Sequence, residues 1–281
     1  MQTELPENCE WYREQIAGHH PSVFKNGQYE IGFIKERGSS YLLKPVQEGI
    51  RGQREVIDLL NKPVNNERQK VLIEFAQFLP KFYGLKQIYA GNKTIDCLVM
   101  EDLTEGYKQP CTMDIKMGKV TYDPDAPPEK IMSESVKYPA QTTLGFRLLG
   151  YRMHCNGDCK IRDKKWGRSR TLENIVSAYG EFLSGRRGEE TVLTKHILSQ
   201  LYKIQQWFHA QRVYHFYASS ILIVYEACIQ LEARPLVKLI DFSHVFPSNG
   251  DLDENYIFGL DNVVRFIEQF QNEIQQQKVS M

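Results

Sequence analysis

The sequence has 281 residues, of which 42% are hydrophobic and 25% charged, and its formal net charge is zero. These values are ordinary for a soluble globular enzyme, and the length allows one large domain or two lobes. No apolar run approaches the roughly 20 residues that cross a bilayer, and the polar N-terminus does not resemble a secretory signal. The six scattered cysteines predict reduced thiols, and hence a cytoplasmic or nuclear protein.

The first part of the chain is predicted to be rich in β-structure. Loosely alternating apolar residues predict four strands in two pairs: 29–34 with 40–44, and 86–89 with 94–100. Helical spacing predicts two helices, over 51–60 and 67–79. The polar, turn-like segment 101–106 follows and is a candidate hinge.

The second part mixes helices and strands. Helices are predicted over 129–138, 171–183, 191–211 and 261–277, the last with Asp261 as its N-cap. One or two strands are predicted over 142–153, and single strands over 219–225 and 235–240. The elements together predict an α+β fold with two lobes, 1–103 and 104–281, which is the plan of protein kinases and their relatives.

The segment 110–118, Pro-Cys-Thr-Met-Asp-Ile-Lys-Met-Gly, places an acid and a base two residues apart. In a strand, Asp114 and Lys116 lie on one face because side chains alternate, and the apolar residues around them fill the other. An acid and a lysine on one face of a strand can hold a polyanion, because the acid accepts a hydroxyl or binds through a metal and the lysine neutralises phosphate.

Other residues fit the needs of phosphoryl transfer, which are a lysine on the nucleotide phosphates, a carboxylate for Mg²⁺ and positive charge at the transferring group. Lys44 ends a strand of the first lobe and Glu55 follows on a helix, the positions of a kinase's phosphate-binding lysine and its partner acid, although a residue of either kind, taken singly, is more often at the surface. Glu101 and Leu103 lie in a segment that follows a strand, and the backbone of this segment could hydrogen-bond adenine.

Asp241 ends an apolar strand and is followed by Phe242, where kinases place Asp-Phe-Gly. A carboxylate there is costly to bury without a cation, and Mg²⁺ prefers oxygen ligands. Ser220 could orient metal-bound water, or could belong to a strand-start turn. His244 could point into the same cleft, although an isolated histidine is more often structural.

The segment 130–170 carries ten Lys and Arg residues against three acids, a local excess of positive charge in a neutral chain. This favours a compact anionic ligand, with a solvated basic surface as the alternative. A protein kinase is disfavoured because the Gly-rich loop and the His-Arg-Asp loop are absent. A zinc site at His154, Cys155 and Cys159 is disfavoured because no second pair of ligands lies nearby.

Five segments together resemble the inositol polyphosphate kinase family. Segment 110–118 matches the family signature PxxxDxKxG, and the others follow the family's order along the chain: 15–19 (Gln-Ile-Ala-Gly-His), 218–222 (Ala-Ser-Ser-Ile-Leu), 240–244 (Ile-Asp-Phe-Ser-His) and 255–260 (Asn-Tyr-Ile-Phe-Gly-Leu). The resemblance implies a two-lobed, ATP-grasp-like and protein-kinase-like kinase fold that uses ATP and Mg²⁺, with the nucleotide-binding sheet in the first lobe.

The resemblance also implies roles for the candidate residues. On the nucleotide side it implies Lys44 on the phosphates, Glu101 and Leu103 at adenine, Asp114 on the ribose, and Asp241 on Mg²⁺ with help from Ser220. Lys116 would lie between the γ-phosphate and the acceptor oxygen. Acceptor recognition falls on Lys130, Lys137, Arg152 and His244, with Lys164, Lys165 and Arg168 on a basic loop. Ser133 and Glu134 stand where multikinases often have glutamines, and Glu134 would repel phosphate if it faced the pocket.

Within the family, the resemblance leaves the acceptor open. Segment 143–145 and the basic loop 162–168 favour an inositol hexakisphosphate kinase, which makes pyrophosphates, and we expect this activity with mixed specificity. Segments 122–124, 129–131 and 137–139 favour an inositol polyphosphate multikinase. A non-catalytic inositol phosphate sensor is the rival from another class. We expect a soluble inositol polyphosphate partner, no nucleic acid and no membrane span.

Overall fold

The computed structural model describes residues 5–16, 22–25, 28–46, 66–90, 93–155 and 157–279. The predicted helix 51–60, and Glu55 with it, lies outside these residues. Within them the chain forms two five-stranded antiparallel sheets, two short strand pairs and helices packed mainly on the second sheet. No helix of the described residues has the length and apolar character needed to span a membrane.

The first sheet has the strand order β1-β4-β5-β7-β6. Its strands are β1 (Cys9–Trp11), β4 (Ile34–Glu36), β5 (Tyr41–Pro45), β6 (Phe82–Ala90) and β7 (Lys93–Glu101), and a separate pair is formed by β2 (Ser22–Lys25) and β3 (Gln28–Ile31). The predicted single strand 29–34 is therefore wrong. Phe33 accepts a hydrogen bond from Tyr12 N at 2.9 Å and donates one to Gln15 Oε1 at 3.1 Å, and these contacts interrupt the strand.

The second sheet has the order β10-β9-β8-β12-β13. Its strands are β8 (Pro110–Met117), β9 (Phe146–Cys155), β10 (Asp158–Arg162), β12 (Ser220–Glu226) and β13 (Leu236–Ile240), and a short pair is formed by β11 (Tyr214–Phe216) and β14 (Val245–Pro247). Met113, Ile115 and Met117 of β8 are fully buried in the larger core, as the alternating pattern predicts.

The helices are α1 (Asn66–Ala76), α2 (Pro128–Lys137), α3 (Gln141–Leu144), α4 (Lys164–Arg168), α5 (Ile175–Leu183), α6 (Glu190–Ala210) and α7 (Glu254–Val279). The predicted apolar stripe of α6 is buried along its length. The prediction that the last helix begins at Asp261 is wrong, because α7 begins at Glu254. Asp253 precedes the helix and its carboxylate accepts from Tyr256 N at 3.0 Å and Phe216 N at 2.6 Å, so it satisfies the helix start from outside.

The segment 142–153 is also not a continuous strand. Its first residues form the short helix α3, and Gly145, with φ +72°, ends that turn before β9 begins. A helix end of this kind favours glycine because a Cβ is strained at positive φ.

The helix α1 precedes residue 103 in sequence, but its apolar side packs in the larger core. The Phe75 ring stacks on Trp207 of α6 at a centroid distance of 4.7 Å, and Phe78 also contacts Trp207. The lobe boundary at 103/104 stays a prediction, and the hydrophobic core of the second sheet extends across it.

A β-bulge in β9 changes which of its side chains lie on the same face of the second sheet as Asp114 and Lys116. Thr112 pairs with Arg152 and Asp114 with Gly150, whereas Lys116 pairs with Arg147, so Leu149 is the extra residue. Five positions separate Arg147 from Arg152, and a regular strand would place them on opposite faces. The bulge instead places both beside residues of one face of β8.

We predict that Gly150→Ala strongly destabilises the protein. Gly150 has φ +143°, and an added Cβ would overlap the carbonyl oxygen of Arg162. Urea unfolding should show a loss of about 3 kcal/mol or more from strain and overlap together. Gly157→Ala is the matched control, because its φ of +86° is also positive but its Cβ would meet no atom within 4 Å. It should cost about 1 kcal/mol. Equal losses in the two variants would contradict the role given to the close packing at Gly150.

Candidate active site

Three adjacent strands bring the central residues into line. Ser220, at the start of β12, pairs with Lys116 of β8 on one side and with Ile240 of β13 on the other. Asp241 follows Ile240 directly. Because neighbouring strands lie about 4.8 Å apart, this register fixes the spacing of the lysine, the serine and the aspartate.

Asp241 is held by an ion pair between the two sheets. Its Oδ1 lies 3.0 Å from Nζ of Lys44, at the end of β5 in the first sheet. Desolvation raises the pKa of Asp241, but Lys44 and then Lys116 outweigh that effect and lower the pKa below its ordinary value. Asp241 also has φ +66°, a conformation that is uncommon outside glycine and that often occurs at functional sites.

Asp114 is buried on the same face of the sheet. Its pKa is raised to about 7, first by desolvation and then by the charge of Asp241. The nearby hydroxyl of Ser220 acts to lower this pKa, yet it and Asp114 Oδ1 are buried without a hydrogen bond of normal geometry among the described residues. Buried polar atoms are normally paired, so these two atoms are suited to bind a ligand or a water molecule.

A mainly apolar cavity lies between the two sheets and ends at these polar residues. Phe33, Leu42, Leu72 and Leu103 line it together with the carboxylates of Asp114 and Asp241. Apolar walls with a few convergent polar groups are typical of a small-molecule site, and a flat apolar ring suits such walls.

The end of β7 and the residues that follow it form part of the cavity wall. Glu101 and Leu103 line it, and the N–H of Glu101 donates to Lys81 O at 2.8 Å. Asp102, between them, accepts from Lys35 at 2.6 Å and from Tyr12 at 3.1 Å. The predicted hinge is therefore fixed by side chains of the first sheet and its N-terminal segment.

Arg147 is a site residue that the sequence reasoning missed. Its side chain is buried and pairs with Glu134 of α2 at 3.6 Å. Lys116, opposite Arg147 on β8, has a lowered pKa because of burial first and the charge of Arg147 second. The signal in the sequence was Gly150, since a glycine within a strand often marks a bulge.

Glu134 faces inward on α2, whereas Ser133 is exposed. The carboxylate of Glu134 accepts from Thr121 Oγ1 at 2.9 Å and pairs with Lys137 as well as with Arg147. Burial raises the pKa of Glu134, but these partners outweigh it and lower the pKa to about 2.

Asp123 was also missed, and it connects two of the predicted acceptor residues. Its Oδ2 lies 2.6 Å from Nδ1 of His244 and 3.5 Å from Nζ of Lys130. The structure therefore brings His244 and the start of α2 together through one buried carboxylate. The sequence offered only a loop aspartate here.

The remaining predicted residues are distributed around this centre. Lys164 begins α4, and its charge favours the ionised forms of both Asp114 and Asp241. Arg168 is exposed. Burial is the main cause that lowers the pKa of Arg147, and the charge of Arg168 lowers it further. Lys165 is exposed on the same short helix.

Arg152 of β9 lies beside the start of β8, whereas Lys116 lies near its end. It pairs with Thr112 in the strand register, and its guanidinium lies 2.8 Å from Glu14 Oε2 and donates to Arg13 O at 3.1 Å. The structure therefore joins Arg152 to the N-terminal segment, while Arg147 is the arginine beside Lys116.

The described residues contain no cluster of three or more His, Cys, Asp or Glu side chains suited to a metal ion. Asp241 is nevertheless partly exposed beside the cavity, with the unpartnered Ser220 hydroxyl on the neighbouring strand. This donor set fits Mg²⁺, which usually binds one or two carboxylates and completes its shell with water and substrate phosphates.

Comparison with known proteins gives consistent results. A family model described as inositol polyphosphate kinase matches residues 97–268. Inositol polyphosphate multikinase alpha of Arabidopsis thaliana is 31% identical over 95% of this chain and 96% of its own length. Mouse inositol hexakisphosphate kinase 3 is 30% identical over 65% of this chain and 53% of its own.

A solved structure supports the fold. The inositol phosphate multikinase of S. cerevisiae, crystallised with ADP and Mn²⁺, superposes with a TM-score of 0.67 at 22% identity, over 83% of this chain and 99% of that one. The two chains therefore share an architecture, which is the α+β kinase fold expected from the sequence.

We predict that Asp114→Asn stabilises the unliganded protein, and more so at higher pH. The pKa of Asp114 is raised to about 7 in the folded state, whereas an unfolded aspartate titrates near 3.9. Between these values the folded protein holds a proton that the unfolded chain has lost, so this group's contribution to stability falls as pH rises.

Urea unfolding at pH 5 and pH 8 measures this effect. The advantage of Asp114→Asn over the unmodified protein should grow by on the order of 2 to 3 kcal/mol between pH 5 and pH 8. Asp158→Asn, at an exposed position of β10, is the control and should show no comparable growth. An advantage for Asp114→Asn that is independent of pH would contradict the raised pKa.

Proposed function

The chain belongs to the inositol polyphosphate kinase family and is an inositol phosphate kinase, and we propose that it acts as a multikinase, transferring phosphoryl groups from ATP to hydroxyls of inositol polyphosphates. The likeness to a multikinase extends over 95% of the chain, whereas that to a hexakisphosphate kinase extends over 65%. The preference for a hexakisphosphate kinase suggested by the sequence is replaced by its alternative. The observation that carries the proposal is the strand register that places Lys116 and Ser220 beside Ile240 and the adjacent Asp241, at the polar end of the apolar cavity.

The nucleotide side of the proposal uses the cavity between the sheets. The adenine would lie between the apolar walls at Glu101 and Leu103, and Asp114 would accept a ribose hydroxyl. The ADP and Mn²⁺ of the yeast multikinase structure support ATP with a divalent ion as the cofactors. Asp241 and Ser220 would hold Mg²⁺, which when bound neutralises charge on the phosphate oxygens.

Lys44 and Lys116 would act on the transferring group from two sides. Lys44 comes from the first sheet and Lys116 from the second, and both contribute to the electrostatic environment of Asp241. In phosphoryl transfer, negative charge spreads over the equatorial oxygens, and fixed cations stabilise it with little reorganisation. Positioning and electrostatics supply most of this catalysis, so the absence of a His-Arg-Asp base is compatible with activity.

The acceptor side of the proposal is the basic surface next to Lys116. We place acceptor phosphates near Lys130, Lys137, Arg147 and His244, with Lys164, Lys165 and Arg168 adding to the positive field. Arg152 forms an ion pair with Glu14, and we therefore assign it to the contact with the N-terminal segment and not to the acceptor. In this proposal residues 1–103 and 104–281 remain the two lobes, and the substrate is a soluble inositol polyphosphate.

A non-catalytic inositol phosphate sensor is the second candidate. Such a sensor needs the basic surface but not a strained aspartate paired with a lysine across two sheets. The presence of Asp241 and Lys44 in this arrangement favours the enzyme, because an aspartate in the left-handed conformation costs free energy that a sensor has no need to spend.

Incubation with Mg-ATP and separate inositol phosphates, followed by chromatographic separation of the products, tests the proposal. We expect phosphorylation of acceptors that retain free hydroxyls, and loss of turnover in Asp241→Asn with acceptor binding retained. Asp251→Asn, an exposed aspartate after β14, is the matched control and should keep its activity. Turnover of no inositol phosphate by the unmodified protein would exclude the kinase, and turnover by Asp241→Asn would remove Asp241 from the proposed metal site.

A further inference from the structure

An acid lies within the basic surface proposed for the acceptor. The side chain of Glu134 is 16% exposed, whereas Glu129 of the same helix is exposed to solvent. Glu134 is thus not part of the solvated side of α2. It contributes a negative charge between two cations, Lys137 and Arg147.

The partners of Glu134 are the groups that a phosphate would use. Lys137 and the Thr121 hydroxyl donate to its carboxylate, and the Arg147 guanidinium lies 3.6 Å from Oε2. The charge of Glu134 also acts on Lys116, because it raises the pKa of that lysine against the larger effects of burial and Arg147. Guanidinium and ammonium groups bind phosphate and carboxylate with similar geometry, so a phosphate and Glu134 compete for the same donors.

On the premise of the proposed kinase function, we propose that Glu134 determines acceptor specificity by occupying one phosphate position of the pocket. Its carboxylate neutralises part of the charge of Arg147 and Lys137 and leaves Lys116 for the transferring group. An acceptor that presents a hydroxyl next to Glu134 is preferred over one that presents a phosphate there. The protein therefore selects partly phosphorylated inositols and discriminates against inositol hexakisphosphate.

The capacity of the carboxylate explains the preference for a hydroxyl. A carboxylate offers about four acceptor positions, and Lys137 and Thr121 donate to two of them, while Arg147 adds its charge from 3.6 Å. A substrate hydroxyl can donate to a remaining position, whereas a phosphate brings only acceptors and negative charge. Like charges placed together at a partly buried site are strongly disfavoured, and this repulsive element provides specificity.

The burial of Arg147 keeps this arrangement fixed. The guanidinium is almost fully buried, and the bulge at Leu149 sets its direction from the backbone. Arg147 therefore cannot move into solvent with an incoming phosphate, and an acceptor must accommodate the pair formed by Arg147 and Glu134 as it stands.

Glu134→Gln tests the inference because it keeps the shape and removes the charge. Affinity and kcat/KM are measured for an inositol trisphosphate and for inositol hexakisphosphate, with Mg-ADP present for binding and Mg-ATP for turnover. The ratio of hexakisphosphate to trisphosphate affinity should rise roughly tenfold to a hundredfold in Glu134→Gln. Glu129→Gln, with the same charge change on the exposed side of α2, should leave the ratio unchanged.

Glu134→Asp and thermal unfolding complete the design. The aspartate keeps the charge, so the preference for the trisphosphate should persist, and a thermal scan of each variant identifies misfolding. An unchanged ratio in folded Glu134→Gln, or an equal shift in Glu129→Gln, overturns the inference. A shifted binding ratio without turnover by any variant supports the role of Glu134 and contradicts the kinase proposal. If neither acceptor binds the unmodified protein, both are overturned.

Discussion

The pairing register of β8, β12 and β13 is the constraint on which the candidate site depends. It places Lys116, Ser220 and Ile240 side by side and leaves Asp241 at the end of its strand, within 3.0 Å of Lys44 on the other sheet. Because side chains alternate, a slip of one residue would turn Lys116 into the apolar core and its neighbours out of it. The buried Met and Ile residues of β8 oppose such a slip, so the hydrophobic core fixes the position of the charged groups.

The same register gives the two charges of β8 different surroundings. Asp114 lies at the cavity, where desolvation and Asp241 raise its pKa to about 7. Lys116 lies next to Arg147, on the basic side, and its pKa is lowered by burial and by that neighbour. One strand thus presents an acid to the proposed nucleotide and a base to the proposed phosphoryl group, while Glu134 limits the positive charge beyond them.

The sequence predicts the features that follow from local periodicity. The common face of Asp114 and Lys116, the position of Asp241 after an apolar strand and the buried stripe of α6 all follow from alternating or helical spacing. It does not predict features that depend on distant partners. Arg147 faces the site because of a bulge against β8, and α7 begins at Glu254 because Asp253 also accepts from Phe216 of β11.

In the proposed mechanism Asp114 binds the nucleotide and Lys116 serves the transfer. Measuring Mg-ADP affinity by calorimetry alongside turnover in Asp114→Asn and Lys116→Met separates these roles. We expect weakened ADP binding in Asp114→Asn, and in Lys116→Met an ADP affinity close to that of the unmodified protein with turnover lost. Normal ADP binding by Asp114→Asn, or retained turnover by Lys116→Met, would contradict this division of roles along β8.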